Sequence, residues 1–414
     1  MEQLCNIPND MGCSMNIMHI NAVPYGSTAK IMFSISDILE AKNHRVLCTT
    51  GFTWVGCKRS NWFQTSNLLE KSFHMAMSYI TGMNGCFSYF ATLRLIHKIG
   101  KFSPDLIHLH NLHGWYINLP MLFSYIKQQS IPVIWTLHDC WAFTGQCPHF
   151  TMAGCEKWKT ACHHCPQYRL YPQSILDRTK TMYKRKKKWF TGVPNMTIVT
   201  PSQWLAGLVK QSFLQEYPIK VINNGIDLSI FKSTESDFRD KYSLHGKFIV
   251  LGVSFEWGKR KGLDVFIELA AKLDERFQIV LIGTDDKVDE LLPNNIISIH
   301  RTHNQRELAE IYTAADVFAN PTREDNYPTV NMEAIACGTP VITFNTGGSP
   351  ECIDSSCGVV VECNDNEAMM CEILRMYQDK VSYEKTCLKK AMEFDMHIKH
   401  KEYLDVYEGV VKSL

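Results

Sequence analysis

Residues 323–351 read REDNYPTVNMEAIACGTPVITFNTGGSPE. Two neighbouring acids, Glu324 and Asp325, are followed by a proline turn, a third acid at Glu333, a Gly-Thr-Pro step and a Gly-Gly pair. Pro328 disfavours helix at Tyr327. Thr329 is placed to cap a helix over VNMEAIAC, Gly338 supplies its C-terminal cap position, and Pro340 opens a buried strand. Backbone amides near Thr329, Val330 and Asn331 would then point free from a helix start, which favours a phosphate. Glu333 sits early in the same helix, where a carboxylate can accept two hydrogen bonds from a ribose diol. In open α/β sheets this place, past the carboxyl end of a strand, is where ligands bind. The plainer alternative is that the acids only complement the helix dipole.

Outward from this segment the chain repeats one scheme. KFIVLGVS, FQIVLIG, IISIH, DVFAN, PVITF and CGVVV are short apolar strands with helical stretches between them. The first half alternates in the same way through MNIMHIN, HRVLCTT, DLIHLHN, PVIWTLHD and MTIVTP. Such alternation predicts parallel sheets covered by helices on both faces. The expected fold class is α/β, with two Rossmann-like doubly wound domains facing a cleft. The break is placed near residues 214–222, so that the first domain takes 1–216 and the second 217–396. A last helix over 397–414 has no strand of its own and is expected to cross back onto the first domain.

The length of 414 residues is more than one ordinary core, in line with two domains. An apolar content of 45%, a charged content of 21% and a net charge of +1 describe a globular chain with no global field for nucleic acid. The polar stretch Met1–Ser14 reads as a leader or an upstream start. No run reaches the roughly 18–20 apolar residues that span a bilayer, and no secretory signal precedes the first strand. The 16 Cys are therefore expected to be free or metal-bound, in a reducing cytoplasm.

An acid, seven residues and Glu333, followed by AIACGTPV, resemble the retaining family-4 glycosyltransferases of the GT-B fold, and the likeness covers nearly the whole chain. The family usually has Glu in the first place. Here Asp325 is in register and Glu324 lies one place off. The resemblance implies that Glu333 holds the ribose, that amides near Thr329 and Val330, with Asn326 beside them, hold the donor diphosphate, and that the first acid contacts the donor sugar. EDNYPTV and TLHDCWAFTG further resemble bacterial capsule and exopolysaccharide transferases.

Other groups fit this frame. VSFEWGKRKGLDVF comes after a strand and opens a helix, so Arg260 and Lys261 stand where a departing diphosphate needs positive charge. The family often has an Arg just after this strand, where Ser254 stands here. PYGSTAK puts Gly26 and Ser27 in a glycine loop entering a helix, a second place for phosphate or donor. His138 and Asp139 end a strand, and His138 matches a family histidine that contacts the donor sugar. His108, His110 and His113 precede them without a clear carboxylate to complete a metal site, and are read as acceptor-binding or core residues. RTKTMYKRKKKWFTG is a basic helix with Tyr183, Trp189 and Phe190 interleaved. It is a candidate for contact with anionic lipid headgroups at the inner face of a membrane, or else a plain solvated helix.

An insert near 140–170 carries Cys147, Cys155, Cys162 and Cys165, ending in Cys-x-x-Cys. Phe150 and Trp158 alone are too little for a core of its own, so a staple is expected: a structural zinc on the four Cys, with His163 or His164 as alternates, or a disulfide if the compartment is oxidising.

The expected function is transfer of a sugar from a UDP-, GDP- or ADP-sugar to a saccharide or lipid-linked saccharide. Retention of configuration is implied by the resemblance. With no Asp-x-Asp motif, no catalytic divalent ion or other cofactor is expected. The competitors are a nucleotide-sugar epimerase on the same plan, and a nucleotide-sugar- or saccharide-binding protein that has lost catalysis.

Overall fold

The computed structural model describes residues 14–54, 57–379 and 382–412. The leader read over Met1–Ser14 lies outside them except for Ser14. The apolar runs become two parallel sheets. The first has β1 (Asn16–Asn21), β2 (Arg45–Thr50), β3 (Trp62–Gln64), β4 (Leu106–Leu109), β5 (Val133–Thr136), β6 (Met196–Thr200) and β7 (Ile219–Val221) in the order β3-β2-β1-β4-β5-β6-β7. The second has β8 (Phe248–Val253), β9 (Phe277–Ile282), β10 (Ile296–Ile299), β11 (Val317–Asn320), β12 (Val341–Asn345) and β13 (Gly358–Glu362) in the order β10-β9-β8-β11-β12-β13.

Alternation along each strand explains why nearly every position is apolar. In β4, Ile107 and Leu109 enter the core on one face of the first sheet, and Leu106 enters the core on the other. In β12, Val341 faces one core of the second sheet while Ile342 and Phe344 face the other. Both faces of each sheet are thus covered, which favours continuous apolar runs over a polar alternation. Strand order reverses between β1 and β4, and again between β8 and β11. Each reversal leaves a crevice at the carboxyl ends of the strands.

The last helix, Met396–Lys412, does return to the first sheet. Tyr403, Leu404 and Tyr407 pack with Ile17, Leu39 and Leu106. The Tyr407 hydroxyl lies 2.6 Å from His108 Nδ1, and that of Tyr403 lies 3.2 Å from Thr136 Oγ1. Among the described residues, no helix is long and apolar enough to cross a membrane.

Four details differ from the expectations. β7 pairs with β6, so the first sheet runs past the break placed at 216. The helix after Tyr327 spans Thr329–Ala336 with Pro328 at the cap position, so Thr329 is its first helical residue rather than its cap. The Cys-rich insert does not lack a core: Trp158 stacks on Phe150 at 5.0 Å and meets Phe143 at 5.3 Å, and all three join the first domain's core. In the basic helix Thr179–Phe190, Tyr183 and Phe190 are buried, so its outer face is basic without those aromatic tips.

Candidate active site

The crevice of the second sheet is built from the segments after β8 and β11. Beyond β8 the chain makes a short 3-10 turn, Lys259–Lys261, ended by Gly262. Beyond β11 it runs through Pro321–Pro328 into the helix Thr329–Ala336. Arg323 anchors the second segment to the first. It is buried, forms a fork with both carboxylate oxygens of Asp264 at 2.7 and 2.9 Å, and donates to Asn364 Oδ1 at 2.6 Å. The Arg323 N–H donates to the Arg260 carbonyl at 2.8 Å. This fixes Arg260, Lys261, Glu324 and Asp325 relative to one another.

The Gly-Gly pair makes the same loop possible from the other side. A Cβ at Gly347, whose φ is +56°, would lie 1.8 Å from the Asp325 carbonyl oxygen, and one at Gly348 would lie 1.9 Å from that of Asn326. Only a backbone without side chains can lie this close.

Within the crevice, Lys261 Nζ donates to Asp325 Oδ2 at 2.6 Å, with each side chain about one-fifth exposed. Burial is the largest influence on Asp325 and raises its pKa, but Lys261, His149 and Arg260 together outweigh it and hold the carboxyl below its ordinary range. Asp325 is thus a carboxylate set by a cation, able to accept hydrogen bonds from sugar hydroxyls. Glu324 turns elsewhere: its Oε1 accepts the Met152 N–H of the Cys-rich insert at 2.8 Å. Arg260 Nη2 reaches Glu256 at 3.3 Å.

Glu333 is half-buried and accepts the Tyr312 hydroxyl at 3.3 Å. Burial raises its pKa to about 7, against the lowering influence of Lys30, Tyr312 and Thr329. Lys30 lies in the helix Gly26–Ala41 of the first domain, so this influence on Glu333 comes from the other domain. Thr329 and Val330 are half-buried, and their N–H groups fall in the first turn, where a helix offers no carbonyl partner. Gly26 and Ser27 are exposed, with Gly26 at φ +80°.

Asn326 binds the two domains together. Its Oδ1 accepts the Ser202 hydroxyl at 2.6 Å and its Nδ2 donates to the His138 carbonyl at 3.1 Å. That side chain therefore spans the cleft instead of lying open to a donor. Glu351 adds to the docking, accepting the N–H groups of Gln203 and Trp204 at 2.8 and 2.7 Å.

The crevice of the first sheet is lined by imidazoles. His19 Nδ1 lies 3.1 Å from His110 Nε2, and His110 Nδ1 lies 3.2 Å from His138 Nε2. Desolvation lowers His138 to about 4 and His19 to about 3, and holds His108 and His110 well below the ordinary value. The His138 side chain thus points inward, neutral, to the end of this row. His19, His108 and His110 bring ligand atoms within 4.8 Å of one another. His108, however, engages both ring nitrogens with hydroxyls, Tyr407 at 2.6 Å and Thr136 at 2.8 Å, and among the described residues no carboxylate joins the group, so core packing accounts for it. His113 lies outside the row and pairs with Asp139 at 2.9 Å. Burial is the largest influence on Asp139 and raises its pKa, yet His113 and His149, with the Trp141 N–H, bring it down to about 2.

Sequence reasoning missed His149, whose charge lowers the pKa of Asp325 and Asp139, as well as Lys30 and Glu351. The four Cys of the insert line one small cavity on the first domain, away from Lys261 and Asp325.

Residues 74–230 match Glycosyltransferase Family 4, and residues 246–379 match Glycosyl transferases group 1. WcaC of Escherichia coli, whose name assigns it to colanic acid biosynthesis as a glycosyl transferase, is 27% identical over 268 residues. That alignment covers 63% of this chain and 64% of the relative's own length. Sucrose-phosphate synthase from Thermosynechococcus elongatus superposes with a TM-score of 0.72 at 16% identity, over 97% of this chain and 100% of that one. HepE of Anabaena, in complex with UDP-glucose, superposes with a TM-score of 0.66 at 16% identity, over 95% of this chain and 100% of that one.

Proposed function

We propose that this chain, with a Glycosyltransferase Family 4 segment followed by a group 1 segment on the GT-B fold, transfers a sugar from a nucleotide sugar to a saccharide acceptor in cell-surface polysaccharide biosynthesis. The observation that carries this reading is the Lys261–Asp325 pair, at the strand-order reversal of the second sheet and beside the Thr329 helix start. The donor diphosphate lies against the Thr329 and Val330 amides, and its ribose lies on Glu333. Asp325 orients the donor sugar. Lys261 and Arg260 act most strongly as negative charge grows on the leaving diphosphate, and interactions that strengthen towards the transition state are the ones that accelerate the reaction. The configuration of the transferred sugar is retained. HepE's complex with UDP-glucose and the name of WcaC support this class of donor and product.

The acceptor is carried on lipid, and the protein works at the cytoplasmic face of a membrane. Support comes from the helix Leu68–Thr81, which is inside out. Its buried residues are His74 and Ser78, while Leu69, Phe73 and Ile80 are 80, 60 and 50% exposed. Ile175 extends this apolar face through its N–H to the Tyr79 carbonyl at 2.8 Å. The basic helix Thr179–Phe190 borders it, with Arg185 Nη1 3.2 Å from Met83 Sδ. An apolar surface rimmed by cations suits anionic lipid headgroups.

The test is a panel of UDP-, GDP- and ADP-sugars, with release of nucleoside diphosphate measured in the presence and absence of polyprenyl-diphosphate saccharides. One donor should be hydrolysed slowly alone and faster with acceptor. Epimerised donor, or binding without release, would contradict the reading.

A further inference from the structure

Cys147, Cys155, Cys162 and Cys165 surround one small cavity, together with Phe150, Trp158, Lys157 and His163. Cys147 and Cys162 are buried, Cys155 and Cys165 are half-buried, and none is in a disulfide. The backbone is shaped to this cluster. Cys162 Sγ accepts the Gly145 N–H at 3.1 Å. A Cβ at Gly145 would come 2.9 Å from the Cys162 Cβ and 2.6 Å from the Thr179 carbonyl oxygen, so this approach requires a glycine. The Cys165 N–H is held by Asp177 Oδ2 at 2.8 Å.

A second observation is a buried cation beside the same loop. Lys186 is fully buried. Its Nζ donates to the carbonyls of Trp141 at 2.6 Å and Thr144 at 3.2 Å, and lies 3.4 Å from the centre of the Trp141 ring. Among the described residues it forms no ion pair with a carboxylate. A buried ammonium is costly unless an anion stands near it, and burial lowers the pKa of Lys186 to about 7.

We propose that Cys147, Cys155, Cys162 and Cys165 hold one structural zinc ion as thiolates. Binding releases the four thiol protons to solvent and leaves a centre of net charge −2, which the Lys186 ammonium partly offsets. No three of the four sulfurs lie within 4.8 Å of one another, so the ion draws them inward, onto Zn–S bonds of about 2.3 Å. The centre fixes the loop that carries His149 and the Met152 N–H, and so the donor of the Glu324 hydrogen bond. It acts on the cleft by positioning and takes no part in the transfer itself.

Elemental analysis of full-length protein, purified under reducing conditions without chelator, should give about one zinc per chain. The insert's four thiols should resist a thiol reagent until a chelator is added. Cys165→Ser should lose most of the zinc and lower the melting temperature while keeping nucleotide affinity within about twofold, whereas Cys371→Ser, at an exposed cysteine outside the insert, should change neither. If Cys165→Ser fails to fold, thiol accessibility of the unaltered protein before and after chelation still decides. No stoichiometric zinc with freely reacting thiols, or peptide mapping that finds these cysteines in disulfides, would overturn the proposal. Either result is independent of whether any donor is turned over.

Discussion

The two sheets reverse their strand order in the same way, yet the crevices at the reversals differ in charge. That of the second sheet holds a cation and a carboxylate 2.6 Å apart, with Arg260 beside them. That of the first sheet holds a row of buried imidazoles, kept neutral by desolvation. One plan of strands and helices thus serves two purposes. Fixed charge lines one crevice, where the proposed reading puts the leaving diphosphate, and neutral buried rings pack beneath the other. The difference arises in a few positions in and beyond the strands: a short turn ending in Lys261 after β8, and inward-facing His19 and His108 within β1 and β4.

Breaking the charged crevice should have the largest effect. Asp325→Asn removes the carboxylate that pairs with Lys261 and that the proposed reading places against the donor sugar. Turnover should fall about 10²–10³-fold, the range for losing one preorganised electrostatic contact, while circular dichroism stays unchanged. Glu333→Gln comes next. Loss of a charge-assisted bond pair is worth roughly 2–3 kcal/mol, or about 30- to 150-fold in donor affinity by calorimetry. Burial raises the pKa of Glu333 to about 7, and the proposed ribose contact uses its carboxylate, so donor affinity should rise as pH increases through 7. Glu333→Gln should flatten that profile, whereas His138→Ala should not, since His138 is held at about 4 and is already neutral there.

The join between the crevices is weaker. Asn326→Ala removes its bonds to Ser202 and to the His138 carbonyl. It should cost about 1–3 kcal/mol in unfolding free energy and, in kcat/KM, about tenfold. The neutral crevice should show itself mainly in stability. The folded pKa values of its imidazoles lie below the roughly 6.5 of an unfolded chain, so the unfolded state takes up protons first. Stability should therefore fall as pH drops below about 6.5 towards 4, and His19→Leu should reduce that slope slightly in urea titrations.

Much of this was legible in order along the chain. The apolar runs mark the strands because both sheet faces are covered, and the Asp325–Glu333 spacing with Pro328 and Gly338 marks the turn and helix of the second crevice. Lys261 was legible from its place after β8. What was hidden depends on partners far apart in sequence. Met152 and Glu324 are 172 residues apart, and nothing local in the insert marks His149 as a group that acts on Asp325. The edge strands β3 and β7 are three residues each and only partly buried, too short for a period. One miss had a readable signal. Met182, Tyr183, Lys186 and Phe190 recur at helical spacing, which marks them as the inner face of the basic helix rather than its tips. In the helix Leu68–Thr81 the same rule misleads, because its apolar face is the one left outside.

The central claim is that the second crevice acts on charge that develops as the diphosphate leaves. Once the donor is known, Lys261→Met tests it most directly, by comparing turnover with the dissociation constant of the nucleoside diphosphate sugar in the same preparation. Turnover should fall by about 10²–10³-fold while the dissociation constant rises less than about tenfold. A variant that binds donor far more weakly yet turns it over at the unaltered rate would show that Lys261 serves only the ground state, and would contradict the account.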